Sequence, residues 1–266
     1  MILSRAGWHS PAGNYTLAAA DVHIWRTTFD WPVTALDRIL SPDERERARR
    51  FRFEIHRRCF LIGRGLLRTL LGRYLDVPPG TLLFHYTAFG KPTLAEGSLR
   101  FNVSHSGELL LMAVTLNRAI GVDIEQIRRD RAVGEIAGHF FSPNERTILA
   151  GLPDHVQHDA FFNCWTRKEA YVKAKGDGLS LPLHQFDVAF LPGDPAQLLA
   201  TRPDGAEADR WSLRELDVAE GYKAAIAVEG SEWTPVCWHW PVEPLERSSL
   251  MQSQPSDPFR LTEASG

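Results

Sequence analysis

The residues with the clearest capacity for chemistry are two carboxylates in the segment Gly121-Val122-Asp123-Ile124-Glu125. In a β-strand, residues i and i+2 point to the same side, so Asp123 and Glu125 would share one face while Val122 and Ile124 face the core. Two carboxylates about 7 Å apart at their Cα atoms suit a hard cation with oxygen ligands, such as Mg²⁺. Taken alone, the pattern is explained more simply by an edge strand with a solvated acidic face.

A third carboxylate, Glu169, lies in a predicted helix that includes Trp165 and Lys173. These three residues are spaced i, i+4 and i+8 and therefore share one helix face. Glu169 and its neighbours Lys168 and Lys173 could form a surface ion pair worth about 0.3–0.5 kcal/mol. The aromatic residues favour a packed helix instead, with Glu169 as a metal ligand beside lysines that neutralise phosphates. Mg²⁺ takes few carboxylates and leaves positions for water and substrate phosphate oxygens.

Two short polar segments offer further candidates. Ser104 and His105 follow a predicted strand. His105 could bind a phosphate, act as a base or complete a turn, and the turn is the simplest reading. No aspartate or cysteine lies nearby in sequence to make a hydrolase triad. The segment Phe89-Gly90-Lys91-Pro92 is a turn that presents one lysine, and it could equally be an ordinary surface loop.

The N-terminal part of the sequence is rich in arginine, with ten arginines between Arg45 and Arg73 and only two acidic residues. Arg58 and Arg64 belong to this group, in a predicted helix. Such a helix could simply present a solvated face. The planar guanidinium group is also a natural partner for phosphate oxygens.

The elements that must position these residues repeat once along the chain. The segment Ser41-Pro-Asp-Glu-Arg45 returns as Ser142-Pro-Asn-Glu-Arg146, 101 positions later. Each copy has the N-cap, first-turn proline and N3 glutamate of a helix start. Each precedes a basic helix and then a hairpin-like region. We therefore predict an α+β fold of two similar α/β halves with the active site in the cleft between them, although capping boxes also recur by chance.

This pattern divides the chain into four parts. An irregular lead-in occupies residues 1–20 and an N-terminal half residues 21–118. A C-terminal half at 119–240 carries the acidic strand and the helix of Glu169. Residues 241–266 are rich in proline and serine and poor in apolar residues, which predicts a disordered tail.

Composition narrows the class of protein. The chain has 266 residues, 44% hydrophobic and 24% charged, and a net charge of -3. These values are ordinary for a soluble globular protein and argue against one that coats nucleic acid. Three cysteines without short spacing favour a reducing compartment. Apolar runs such as Leu109–Val114 are too short to span a bilayer, and no signal peptide is recognisable. We expect a cytoplasmic protein without membrane or nucleic-acid partners.

The order of the motifs is more distinctive than any single motif. F-G-K-P, N-V-S-H-S, G-V-D-I-E, F-S-P-N-E and W-T-R-K-E-A-Y-V-K follow one another between Ser41 and Val228. This set resembles the Sfp-type 4′-phosphopantetheinyl transferases. The resemblance implies a monomeric, Mg²⁺-dependent enzyme of the holo-[acyl-carrier-protein] synthase type. It would transfer phosphopantetheine from coenzyme A to a serine of an apo acyl or peptidyl carrier protein, with secondary metabolism favoured, and release adenosine 3′,5′-bisphosphate.

Site roles follow from the same resemblance. Glu169 is the candidate base, acting directly or through a metal-bound water. The family's first capped helix often carries lysines near the coenzyme, whereas this sequence has Glu44 and Arg47, which puts contacts from that helix in doubt. In the family the carrier surface follows the catalytic helix, here residues 176–186. The implied metal ligands are Asp123, Glu125 and Glu169; the implied pyrophosphate or coenzyme contacts are Lys168, Lys173, Ser104, His105, Lys91, Arg64 and Arg58.

Two other functions fit parts of the pattern. A nuclease or phosphatase could also combine D-x-E with a lysine, but the acidic net charge and the F-N-V-S-H-S segment count against it. A non-catalytic coenzyme A-binding module is the second alternative, and the presence of all three acidic residues counts against that. Glu145 has two explanations, a helix cap or a functional carboxylate near the metal strand.

Overall fold

A computed structural model describes residues 7–11, 16–95, 97–176 and 178–240. The predicted tail at 241–266 and part of the predicted lead-in lie outside these residues. The first half of the fold contains three helices and five strands: β1 (Asp21–Thr28), α1 (Val33–Asp37), α2 (Pro42–Arg49), α3 (Glu54–Leu75), β2 (Phe84–Tyr86), β3 (Pro92–Leu94), β4 (Leu99–Ser106) and β5 (Leu109–Leu116).

The second half repeats this order and adds one strand at its end. Its elements are β6 (Ile120–Gln126), α4 (Val133–Phe140), α5 (Pro143–Ala150), α6 (Asp154–Lys175), β7 (Phe186–Val188), β8 (Leu198–Thr201), β9 (Trp211–Glu215), β10 (Tyr222–Glu229) and β11 (Thr234–His239).

The two main sheets have equivalent topology, which confirms the predicted α+β class with two similar halves. In the first sheet β5 lies between β1 and β4, and all these pairings are antiparallel. In the second, β10 lies between β6 and β9 in the same way. The long helices α3 and α6 both have 22 residues and start 100 positions apart, at Glu54 and Asp154.

The repeated helix starts make equivalent buried contacts. Glu44 and Glu145 each cap their helix by accepting a hydrogen bond from the N-cap backbone. Glu44 also pairs with Arg68 of α3 at 2.7 Å, and Glu145 pairs with Lys168 of α6 at 2.8 Å. The internal repeat seen in the sequence therefore reflects one packing arrangement used twice, in which a capping carboxylate anchors the following long helix.

The last strand crosses between the halves. β11 pairs in parallel with β1, with Asp21 opposite Thr234 and Arg26 opposite His239. The predicted division assigned this segment to the C-terminal half, whereas its hydrogen bonds place it at the edge of the N-terminal sheet. Buried tryptophans Trp25 and Trp240 pack in the core beneath it.

The strand and helix that carry the acidic residues are in direct backbone contact. A Cβ atom at Gly121 of β6 would lie 2.1 Å from the carbonyl oxygen of Ala170 and 2.3 Å from the nitrogen of Ala174, both in α6. Only glycine fits between these backbones, since no side chain can relieve such contacts. β6 and α6 are therefore held against each other at the point from which Asp123 and Glu169 project.

Candidate active site

Side chains of β4 connect the edge of the N-terminal sheet to the acidic strand β6. The Ser104 hydroxyl donates to Asp123 Oδ1 at 2.9 Å, and the Ser106 hydroxyl donates to Glu125 Oε2 at 2.9 Å. Asn102 accepts a hydrogen bond from the β6 backbone. Because alternate residues of a strand share a face, all three point toward β6. The N-V-S-H-S motif thus joins the two halves at the carboxylates.

Asp123 is the most enclosed of the three carboxylates, with its residue 4% exposed. Its Oδ1 accepts hydrogen bonds from Ser104 and from Lys173 Nζ, which lies 2.6 Å away. Lys173 also donates to the Ser104 hydroxyl at 2.9 Å. The other oxygen, Oδ2, is buried and has no hydrogen-bond partner. A buried carboxylate oxygen without a partner is costly, so this atom points to a ligand.

Glu125 and Glu169 stand near Asp123 and respond to its charge. Burial raises the pKa of both side chains, and the Asp123 charge raises it further. Three neighbouring carboxylates repel one another unless a cation lies among them. Carboxylate oxygens are the ligand type that Mg²⁺ prefers, so the chemistry of these residues, including the unpaired Asp123 Oδ2, fits that cation.

The carboxylates are not drawn together around one point. In the part of the chain that the structure describes, no three histidine, cysteine, aspartate or glutamate side chains converge closely enough to form a ready-made cation site. Lys173 instead supplies the positive charge beside Asp123. Asp123 would therefore have to serve both Lys173 and a bound cation.

The opposite face of β4 borders a cavity of about 550 Å³. Val103 and His105 line it from the strand, and α3 lines it from the other side. The walls are mainly apolar, while Arg47, His56 and Arg64 supply polar groups. The period of two in β4 thus sends Ser104 to the carboxylates and its neighbours to this cavity.

His105 contacts the aromatic ring of Phe29 edge-on, with ring centroids 5.5 Å apart. Partial burial of the imidazole lowers its pKa, and the nearby charges of Lys173 and His56 lower it further. The neutral ring has one donor and one acceptor nitrogen at neutral pH. His105 can therefore hydrogen-bond a ligand in the cavity.

Arg64 lines the same cavity and has one buried hydrogen-bond donor without a partner. Its Nε lies 3.5 Å from Glu44, and its guanidinium group packs over the ring of Phe84 at 4.8 Å. The side chain is 8% exposed, and its buried Nη1 has no hydrogen-bond partner. Glu44 faces both Arg64 and Arg68, so this cluster carries a net positive charge. An anionic group in the cavity would satisfy it.

Lys91 is not free to contact a phosphate in this structure. Its Nζ donates to the carbonyl oxygens of Ile120 at 3.0 Å, Lys173 at 2.5 Å and Ala174 at 3.3 Å. An ammonium group has three donors, so all are used. Burial lowers the pKa of Lys91 to about 8. This lysine caps the C-terminal end of α6 from the other half of the fold.

Lys168 lies away from the cleft in the core of the C-terminal half. Its side chain is fully buried and pairs with Glu145, and Nζ also donates to the carbonyl oxygens of Leu183 at 2.7 Å and Phe186 at 2.5 Å. The second oxygen of Glu145 accepts from Val188 N. The structure thus gives Lys168 a packing role in place of the predicted pyrophosphate contact. It also explains Glu145 without a catalytic role.

Arg58 is likewise used by the fold. It donates to the carbonyl oxygens of Phe29 and Trp31 at 3.2 and 3.3 Å, tying α3 to the segment after β1. The candidate site therefore retains the three carboxylates, Ser104, His105, Lys173 and Arg64, while Arg58, Lys91 and Lys168 support the elements around it.

The buried pair gives a stability prediction. We expect Lys168→Met to lower the free energy of unfolding by about 3–5 kcal/mol, because it leaves Glu145 buried without its partner. Urea unfolding measures this change. Lys175→Met is the control, since Lys175 is on the same helix but 28% exposed in its pair with Glu207. Parental stability of the Lys168 variant together with weaker coenzyme A binding would restore Lys168 to the ligand contacts.

Asn102 and Ser106 were not predicted from the sequence as partners of the acidic strand. Both lie in the N-V-S-H-S region and share the strand face of Ser104. Alternation within a predicted strand was the available signal. It required knowing that β4 lies beside β6, which is a contact between the two halves.

Comparison with known proteins bears directly on this site. Residues 23–117 match the family model "4′-phosphopantetheinyl transferase, N-terminal". Residues 119–227 match the model of the 4′-phosphopantetheinyl transferase superfamily. The 4′-phosphopantetheinyl transferase HetI of Nostoc sp. strain PCC 7120 is 43% identical over 240 residues, covering 88% of this chain and 98% of HetI. The chain belongs to the 4′-phosphopantetheinyl transferase superfamily.

Other members of the superfamily are similar over most of their length. A 4′-phosphopantetheinyl transferase of Bacillus subtilis is 34% identical and aligns over 76% of this chain and 90% of its own length. The transferase Sfp of Bacillus subtilis strain 168 is 32% identical, with coverages of 70% and 81%. These relatives confirm the Sfp-type resemblance. The two matched segments of this transferase adjoin at residues 117–119, immediately before the acidic strand.

One further observation concerns membranes. Among the described residues of the transferase, no helix combines the length and the apolar character needed to cross a bilayer.

Proposed function

We propose that this transferase moves 4′-phosphopantetheine from coenzyme A to a serine of an apo acyl or peptidyl carrier protein, as a holo-[acyl-carrier-protein] synthase. The reaction would require Mg²⁺ and release adenosine 3′,5′-bisphosphate. One observation carries the proposal: the buried, unpaired oxygen of Asp123 lies beside Lys173 and near Glu125 and Glu169, while a cavity lined in part by Arg47, Arg64 and His105 borders the opposite face of β4.

The carboxylates and Lys173 would have different roles toward the pyrophosphate. Asp123, Glu125 and Glu169 would hold Mg²⁺, which offsets charge on the pyrophosphate and the leaving bisphosphate. Lys173 is held by Asp123 and Ser104 at the cleft and is 29% exposed. Its ammonium group can therefore donate to a phosphate oxygen and stabilise the negative charge that develops there.

Glu169 is the proposed base for the carrier serine. Burial and the charges of Asp123 and Glu125 raise its pKa, and its carboxylate would accept the proton of the serine hydroxyl. Glu169 and Lys173 both line a smaller cavity of about 260 Å³. A serine hydroxyl entering there would find the base and the phosphate-binding lysine together.

The larger cavity is the proposed site for the nucleotide part of coenzyme A. Its volume of about 550 Å³ is that of a small-molecule site. The guanidinium group of Arg64 would attract an anionic group, and the neutral His105 would hydrogen-bond a phosphate. Apolar walls from α3 suit the base and ribose.

The proposal includes action as a monomer in the cytoplasm. Carrier proteins are acidic in their recognition helix, so a positive or apolar surface near the cleft would receive them. The segment at 176–186, which follows α6, is the proposed place for this contact.

The transfer assay tests the proposal directly. The protein is incubated with coenzyme A, Mg²⁺ and each of several apo carrier proteins, and the carriers are weighed by mass spectrometry. We expect a mass gain of one phosphopantetheine group, absent from a carrier whose acceptor serine is changed to alanine. No gain on any carrier, combined with metal-dependent cleavage of nucleic acid or phosphoesters, would support the nuclease or phosphatase alternative. Coenzyme A binding without either reaction would indicate a binding module.

A further inference from the structure

Ser106 is the last residue of β4, and its hydroxyl makes two hydrogen bonds to β6. The hydroxyl group accepts a hydrogen bond from the backbone N–H of Gln126 at 3.1 Å and donates one to Glu125 Oε2 at 2.9 Å. A backbone N–H can only donate, so the hydroxyl proton is free for the carboxylate. The direction of the bond to Glu125 is therefore fixed by the fold.

The turn after Ser106 lets β4 approach β6 this closely. Gly107 adopts a φ of 55°, in the left-handed region. A Cβ atom there would lie 2.5 Å from the Tyr222 hydroxyl oxygen and 3.0 Å from Gln126 Oε1. Glycine at this position leaves room for the ends of β6 and β10, and so places the Ser106 hydroxyl within reach of Glu125.

Among the described residues Glu125 makes no other side-chain hydrogen bond, although the charges of Lys173 and Arg131 also act on it. It is half-buried near the end of β6 and lies close to the charge of Asp123. A glutamate side chain has several rotamers, and repulsion from Asp123 favours those that turn away. A hydrogen bond to one carboxylate oxygen selects one orientation against that repulsion.

We propose that Ser106 is a positioning residue for the divalent cation, because it holds Glu125 in the orientation that completes the carboxylate group with Asp123 and Glu169. The inference rests on the proposed function. Ser106 is a cleaner test of such positioning than Ser104, whose hydroxyl is shared between Asp123 and Lys173.

The test measures metal binding apart from catalysis. Mn²⁺ binding in the presence of coenzyme A, without carrier protein, is followed by the electron paramagnetic resonance signal of free Mn²⁺. We expect Ser106→Ala to weaken the Mn²⁺ affinity about 10- to 100-fold, as loss of a partner to a metal ligand does. Ser106→Thr keeps the hydroxyl and should retain the parental affinity. Coenzyme A affinity without metal should not change in either variant.

Thr147→Ala is a matched control, since its hydroxyl bonds only the Pro143 carbonyl on the exposed side of α5, and it should leave Mn²⁺ affinity unchanged. Parental Mn²⁺ affinity in folded Ser106→Ala overturns the positioning role, even when the unaltered protein transfers phosphopantetheine. If the alanine variant does not fold, Ser106→Gly replaces it, since glycine also lacks a donor, and parental affinity there overturns the role equally. An unaltered protein that neither binds Mn²⁺ nor modifies a carrier contradicts the proposed function itself.

Discussion

Asp123→Asn should reduce the rate of phosphopantetheine transfer at least about 100-fold while leaving the fold intact, because removal of one preorganised electrostatic group costs about 10²–10³ in kcat. The amide keeps the shape of the carboxylate and can still accept the hydrogen bond from Ser104. It removes the charge that pairs with Lys173 at 2.6 Å and that a divalent cation would use. Lys173 therefore loses its partner, and a bound cation would lose a ligand.

The rate is measured as carrier mass gain over time at saturating coenzyme A and Mg²⁺, and thermal unfolding checks the fold. Asp159→Asn serves as the control, because Asp159 pairs with Arg129 at 3.4 Å on the surface. We expect this variant to transfer phosphopantetheine at the parental rate. A folded Asp123→Asn protein with full transfer rate would mean that the metal site has been assigned to the wrong carboxylates.

Gly121→Ala should destabilise the protein strongly, because the added methyl group meets backbone atoms of α6. The Cβ would lie 2.1 Å from the Ala170 carbonyl oxygen, so the strand and helix must separate. Overpacking of this kind costs about 3 kcal/mol or more. For a protein of this size we expect the melting temperature to fall by about 6–12 °C. The folded fraction should also transfer slowly, since Glu169 moves away from Asp123.

Gly134→Ala is the matched control for this change. Gly134 lies in α4, and a Cβ atom there would meet nothing within 4 Å. Alanine in a helix is favoured over glycine by about 0.5–1 kcal/mol, so this variant should be slightly more stable. Equal melting temperatures for the two variants would show that β6 and α6 are not in the close contact described above.

The spacing of residues in the sequence correctly predicted which side chains of α6 share a face. Glu169 and Lys173, four residues apart, do lie on the cleft side of α6. Lys168 does not, because adjacent helix residues point about 100° apart. Because Glu169 faces the cleft, the adjacent residue Lys168 points toward Glu145 in the core. The family motif alone gave all three residues the same location, and helix geometry separates them.

The sequence predicted only part of the arrangement on the strands. Placing Asp123 and Glu125 on one face needed only the period of two. The hydroxyl groups of Ser104 and Ser106 reach those carboxylates because the edges of two different sheets meet, and no local pattern predicts such a meeting. For the same reason the pairing of β11 with β1, across the whole length of the fold, was not predicted.

The role of Lys91, in the F-G-K-P turn, could not be predicted from the sequence for a different reason. A turn that presents a lysine next to a cleft is compatible with phosphate binding and with helix capping. The choice depends on where the last carbonyl groups of α6 lie, and they lie within hydrogen-bonding distance of Lys91 Nζ. Spacing along the chain contains no information about that distance.

We propose that the carboxylates of β6 and α6 form a metal-dependent transfer centre. The most direct test is the rate of carrier modification by the unaltered protein, after removal of metal with a chelator, as Mg²⁺ is added back. We predict no modification without metal and a saturable return of transfer with Mg²⁺. Modification of the carrier at full rate in the metal-free protein would show that transfer does not require a metal at these carboxylates.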